Sequence, residues 1–149
     1  MKTQEEIIIL LNSLLEENCD AKRGYQHAAE QIEEPSLKGL LMSLAEQREN
    51  FKKSIREEIR VLGQEPAQHI KGPGPVQDAF DQPDLLAMLN TVEQTLRGCL
   101  QLEINRLTLY EQMLNGQPFE ASTQRLLAGQ RENIKLSYSD MKKSLLALT

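Results

Sequence analysis

The stretch LKGLLMSLAEQRENFKKSIREEIRVLG, residues 37–63, decides the fold. Leu37, Leu41, Leu44, Arg48, Phe51, Ile55, Ile59 and Leu62 follow one another in steps of three and four. That period lays a stripe along one face of an α-helix and fits no strand, whose faces alternate every second residue. Gly63 is the expected stop, because glycine takes up the backbone turn that follows a helix end. Pro35 is the expected start: its missing N–H costs nothing in a first turn, and it keeps the preceding residue out of the helical region.

The same rhythm extends in both directions. Upstream, Thr3-x-x-Glu6 has capping-box spacing, and the stripe runs Ile7, Leu11, Leu14, Asn18, Ala21, Tyr25, Ala28, Ile32. Downstream the pattern dissolves from Gln64 to Gln82 among Pro66, Gly72, Pro73, Gly74 and Pro75. A third helix is predicted through Leu85, Leu89, Val92, Leu96, Cys99, Glu103, Leu107, Tyr110 and Leu114, closed by Asn115-Gly116. Pro118 is expected to open a fourth, with Leu127, Arg131, Ile134, Tyr138, Met141, Leu145 and Leu148 inward. The expected fold is an all-α four-helix bundle, one domain over 1–149. Hairpin one spans 3–63, a crossover 64–82, and hairpin two 83–148. Tight connections at Pro35 and Gly116-Pro118 require antiparallel neighbours. A crossover of about 19 residues reaches about 60 Å when extended, more than the ~42 Å of a 28-residue helix. It is long enough to return along the whole bundle.

Composition narrows the function. The 149 residues carry 17 Lys plus Arg against 22 Asp plus Glu, a net charge of −5. That balance opposes nucleic acid and anionic membranes, whose binding draws on basic surface. Trp is absent, so stacking platforms are not expected. Cys19 and Cys99 form no Cys-x-x-Cys pair, and His27 and His69 are too few for a His-built metal centre. With no apolar run near 18 residues and an acidic start, a cytoplasmic protein in a reducing compartment is expected.

The two halves correspond. Leu44-Ala45-Glu46-Gln47-Arg48-Glu49-Asn50-Phe51-Lys52 answers Leu127-Ala128-Gly129-Gln130-Arg131-Glu132-Asn133-Ile134-Lys135. Asn18 precedes Tyr25 by seven residues, as Glu103 precedes Tyr110. The near-equal offset favours a duplicated helical hairpin over chance similarity. The residues Leu11-Asn12-x-Leu14, Asp20, Gly24-Tyr25-x-x-Ala28-Ala29-Glu30, Ala45-x-Gln47-Arg48-x-x-Phe51 and Leu62-Gly63-x-x-Pro66 resemble a bacterial four-helix-bundle family catalogued as a domain of unknown function. That family is placed in the ferritin-like superfamily. The resemblance is close over helices one and two and loose over three and four; it implies a fold and no activity.

One polar residue interrupts each stripe near its middle: Asn18, Arg48, Glu103 and Arg131. Ferritin-like di-iron proteins put a carboxylate on each of two helices at this level and a Glu-x-x-His pair on each of the others. Only Glu103 keeps that pattern. Arginine has no lone pair to give a metal and stays protonated, so two arginines would oppose a cation. The expected arrangement is therefore an Arg48–Glu103–Arg131 ion cluster, with Asn18, Tyr25 and Tyr110 supplying hydrogen bonds. Its net charge of about +1 leaves room for a further acid, a water or an anion. The plainer alternative is that the arginines snorkel to solvent at the stripe's edge.

The expected function is a non-enzymatic scaffold or interaction protein without metal or cofactor. One rival is iron handling through ligands such as Glu103, Glu46, Glu49 or Glu132; the other is anion binding by Arg48 and Arg131. His27 with Glu30 reads as a surface pair and His69 as a loop residue. Cys99 is expected buried and Cys19 partly exposed. Gly24, Gly39, Gly98 and Gly129 suggest close helix approach, and Leu102 with Leu109 a homodimer face.

Overall fold

A computed structural model describes residues 2–67, 91–116 and 118–148. It contains four helices, α1 (Gln4–Glu30), α2 (Pro35–Val61), α3 (Val92–Asn115) and α4 (Ala121–Leu148). Among the described residues there is no strand. The expected helix over Leu85 and Leu89, most of the crossover, and His69 lie outside the described residues.

The helix ends are built by the residues that announce them. Thr3 accepts from the Glu6 amide at 3.2 Å while Glu6 accepts from the Thr3 amide at 3.4 Å, a reciprocal capping box. Glu34 caps α2 by accepting from the Leu37 and Ser36 amides at 2.8 and 3.1 Å, with Pro35 in the first turn. Those amides hold the Glu34 carboxyl below its ordinary range. Gly63, at φ 91°, occupies the left-handed region just past α2, where a side chain would be strained. Thr91 caps α3 through the Gln94 amide.

Pro118 does not open α4, which starts at Ala121. Its carbonyl instead accepts from the Lys2 amide at 2.9 Å, and the next residue, Phe119, is buried with the Lys2 ammonium 5.1 Å from its ring centre. These anchors hold the segment against the N-terminus, so the helix begins after them.

Contacts fix the direction of each pair. Between α1 and α2, Lys38 reaches the Ala29 carbonyl, Lys22 pairs with Glu49, and Gln4 donates to the Leu62 carbonyl. Numbers rise on one helix as they fall on the other, so the pair is antiparallel. The same holds for α2 with α4, through Gln47–Ser137, Phe51–Gln130 and Glu58–Ser122. It holds again for α1 with α3, through Asn18–Tyr110 and Tyr25–Glu103. α3 packs along α4.

Apolar burial falls into two clusters. One gathers Ala21, Ala28, Ile32, Leu37, Leu41, Leu44, Leu96, Met141 and Leu145. The other gathers Ile7, Leu11, Leu14, Phe51, Ile55, Ile59, Leu127 and Ile134. Each fully buried aliphatic chain contributes roughly 1.5–3 kcal/mol relative to exposure, and together they clamp the two ends. Between them the core is polar.

Several expectations are corrected. On α4, Gln130 and Ser137 are buried where Arg131 and Tyr138 were placed, and Leu148 is exposed. Cys19 is buried rather than partly exposed. Leu102 and Leu109 are half-buried, each packed against one of the apolar clusters, so they do not form an exposed pair. Gly39 and Gly129 make no close helix approach: a methyl group at either would meet nothing within 4 Å.

That openness has a measurable consequence. Gly39 lies inside α2, faces solvent and has no left-handed backbone angle. Helical glycine costs about 1 kcal/mol relative to alanine. Gly39→Ala is therefore expected to raise the unfolding free energy by up to about 1 kcal/mol, seen as a higher urea midpoint with an unchanged slope; a lowered midpoint would contradict the open site.

Candidate functional site

The polar waist is assembled from all four helices. Arg48 on α2 and Glu103 on α3 are both fully buried, and the Arg48 Nη2 donates to Glu103 Oε2. Tyr25 on α1 donates its hydroxyl to Glu103 Oε1 at 2.8 Å. Both carboxylate oxygens thus have a donor. On the other side, Arg48 Nε donates to Gln47 Oε1 at 3.0 Å, and Gln47 donates to Ser137 on α4 at 2.9 Å. Ser137 hands its own proton to the Asn133 carbonyl. The guanidinium lies over two aromatic rings, 5.4 Å from the Tyr25 ring centre and 5.5 Å from that of Phe51. Such contacts favour a desolvated cation.

A second chain lies toward the other apolar cluster. Asn18 on α1 donates to the Leu14 carbonyl at 2.8 Å and to the Tyr110 hydroxyl at 3.0 Å. Tyr110 on α3 donates to Gln130 Oε1 at 2.7 Å, and Gln130 on α4 donates to the Phe51 carbonyl on α2.

Burial and charge set the protonation states. Burial works against the Arg48 charge, but the charge and hydrogen bond of Glu103, together with Tyr25 and Tyr110, outweigh it and raise the guanidinium above its ordinary value. Burial, with Glu103 beside it, pushes Tyr25 well above the usual phenol range. Burial likewise pushes Tyr110 up to about 12, against the hydrogen bond from Asn18. Cys99 is pushed up to about 12 by burial and by Glu103, which keeps it a thiol and a poor nucleophile at neutral pH.

Five of the six residues singled out in the sequence lie in these two chains: Asn18, Tyr25, Arg48, Glu103 and Tyr110. Arg131 does not join them. Its side chain is 27% exposed and its guanidinium pairs with Glu132 at 3.4 Å. The physical reason is charge. One guanidinium balances one carboxylate, whereas a second would leave about +1 in a dry core, at several kcal/mol. Neutral Gln130, 4% exposed, takes the inward place instead.

Sequence reasoning also missed buried charges outside the waist. Glu58 accepts from Ser122 and Thr123, Lys52 pairs with Glu49, and Arg106 pairs with Glu17 at 2.7 Å. The signal for the α4 partners was present: Thr123, Gln130 and Ser137 recur every seven residues. Each meets a group on α2. His27 and Glu30 stand 4.0 Å apart at the surface. Among the described residues, no three or more His, Cys, Asp or Glu side chains are grouped as a metal site requires. No helix there is long and apolar enough to cross a membrane.

Two outcomes are expected from this geometry. Glu103→Gln leaves a buried arginine without a counter-charge and should destabilise by about 3–5 kcal/mol in urea unfolding. Removing both charges, as Arg48→Met with Glu103→Leu, should recover most of that loss. A single-variant change below about 0.5 kcal/mol, the usual surface range, would contradict the buried pair.

The second outcome concerns alkaline pH. The folded pKa values of Tyr25 and Tyr110 lie above the unfolded value of about 10. Their contribution to stability is whole below pH ~10 and is lost as pH rises through the folded values. In a Tyr138→Phe background, tyrosinate absorbance should stay low at pH ~10 and appear for Tyr110 only near about 12. Half-ionisation of either tyrosine at the ordinary value would refute the enclosed hydroxyls.

No match is found among curated proteins. A family model described as a domain of unknown function, DUF2383, covers residues 6–116, which take in nearly all of α1 and the whole of α2 and α3. The chain belongs to the DUF2383 family.

Proposed function

We propose that the chain is a non-enzymatic scaffold or interaction protein with a ferritin-like bundle, in which an ion pair takes the level that iron-handling relatives of that fold give to metal. The helix directions support the ferritin-like part. Because α1 runs antiparallel to both α2 and α3, those two run parallel to one another, the relation that goes with a single long crossover. The corresponding Gln47-Arg48-Glu49-Asn50 and Gln130-Arg131-Glu132-Asn133 segments on α2 and α4 support descent from a duplicated hairpin.

The observation that carries the reading is the fully enclosed Arg48 on Glu103. A di-iron centre needs carboxylate oxygens and imidazole nitrogens facing one another. The set at this level is a guanidinium, two phenols, three amides, the Ser137 hydroxyl and one carboxylate whose oxygens are both engaged. Those residues do not fit the metal, and the positive charge it would bring is already supplied. Nor does the waist offer an anion two arginines, since Arg131 pairs elsewhere and Arg48 is neutralised.

Elemental analysis of the natively expressed protein, followed by ferrous titration under air, tests this. Metal well below one equivalent per chain and no iron-dependent oxidation signal are expected. Stoichiometric iron with turnover of added ferrous ion would overturn the scaffold reading.

A further inference from the structure

Two atoms of the waist have no protein partner: Arg48 Nη1 and Asn18 Oδ1. Their side chains are enclosed, Arg48 fully and Asn18 to all but 1%. Arg48 directs Nη2 to Glu103 and Nε to Gln47, which leaves Nη1 as the guanidinium nitrogen with no acceptor. The Asn18 amide cannot be turned round to help. Its Nδ2 meets the Leu14 carbonyl, an acceptor only, and the Tyr110 hydroxyl, whose proton is already given to Gln130. Oδ1 therefore needs a donor, and Nη1 needs an acceptor. Leaving a buried group of this kind unmet is costly, and folded proteins leave few. Both side chains stand at one level of the bundle: Asn18 lies one turn before Lys22 on α1, and the Lys22 partner Glu49 adjoins Arg48 on α2.

We propose that the waist holds an internal hydration site, in which buried water accepts from Arg48 Nη1 and donates to Asn18 Oδ1. Charge selects the ligand class. Arg48 is balanced by Glu103, so an added anion would leave net negative charge in the core, and a cation would face the guanidinium. A neutral molecule that both donates and accepts meets the two atoms, and water is the smallest such molecule. Internal waters in proteins characteristically make about three hydrogen bonds to groups of this kind. The water links the Tyr25–Glu103–Arg48–Gln47–Ser137 chain to the Asn18–Tyr110–Gln130 chain, making one network across the four helices. This inference rests on hydrogen-bond geometry and is independent of the metal-free reading.

The test is a crystal structure of the full chain, from crystals soaked in bromide, that orders internal solvent. Water density within about 2.7–3.2 Å of Arg48 Nη1, and bridging to Asn18 Oδ1, is expected. No anomalous bromide peak should lie there. Nη1 packed against carbon atoms without solvent density, or a bromide peak at the guanidinium, would overturn the proposal. In solution, the Arg48 guanidinium protons should show magnetisation transfer from long-lived water, and its absence would count against the site. Asn18→Leu should abolish the bridging water; an unchanged solvent peak at Nη1 in that variant would show that Asn18 does not hold it.

Discussion

An arginine side chain cannot shed its charge at any pH a folded protein survives, and Arg48 is wholly enclosed. A lysine or carboxylate in that position can neutralise itself by gaining or losing a proton; a guanidinium must be met by another charge. Glu103 meets it, and the rest of the waist follows from serving that pair. Tyr25 takes the free carboxylate oxygen, Gln47 takes Nε, and the Tyr25 and Phe51 rings face the guanidinium. The pair joins α2 to α3, while the other partners extend the network to α1 and α4. The two apolar clusters hold the ends of the bundle and the ion pair holds its middle.

That constraint explains which parts of the architecture were legible in the sequence. Every stripe position named for α1 and α2 is buried, from Ile7 to Ile32 and from Leu37 to Leu62. The Thr3 cap, the Pro35 start and the Gly63 stop are where their residues announce them. The reading works because apolar side chains recur there without a competing register. In α4 two registers compete. Leu127, Ile134, Met141 and Leu145 belong to both, and only the choice between Gln130 with Ser137 and Arg131 with Tyr138 separates them. Hydropathy favours tyrosine over serine, and the repeat favours a second arginine.

Electrostatics and hydrogen bonding reverse that choice. An arginine facing inward on α4 would find the Glu103 carboxylate already committed, whereas glutamine brings donor and acceptor without charge. Tyr110 donates to its oxygen and the Phe51 carbonyl accepts from its nitrogen. Thr123 and Ser137, one heptad to either side, likewise meet Glu58 and Gln47. The α2–α4 contact is therefore a polar ladder with the heptad period of a bundle seam, and polarity at every rung hides it from a search for apolar stripes. The Gln-Arg-Glu-Asn segments of α2 and α4 match in sequence, yet Arg48 faces inward where Gln130, one residue before Arg131, does so on α4.

The broken symmetry also bears on what the waist can do. Two arginines facing one another would have formed a cationic chamber open to an anion, and a symmetric set of carboxylates would have formed a metal cage. The observed set is neutral and lopsided, with charge on α2 and α3 and neutral hydrogen-bonding groups on α1 and α4. Apolar contacts tolerate sliding by a turn, because one leucine replaces another at similar energy. An ion pair and the amide chain beside it do not, because each bond exists over a few tenths of an ångström. A slip of α3 by one helical turn, about 5.4 Å, would strand Arg48 without Glu103 and Tyr110 without Gln130 at once. The waist thus specifies helix register through the cost of every alternative. Such a centre suits the scaffold role proposed above, in which contact with other molecules would fall to the outer surface.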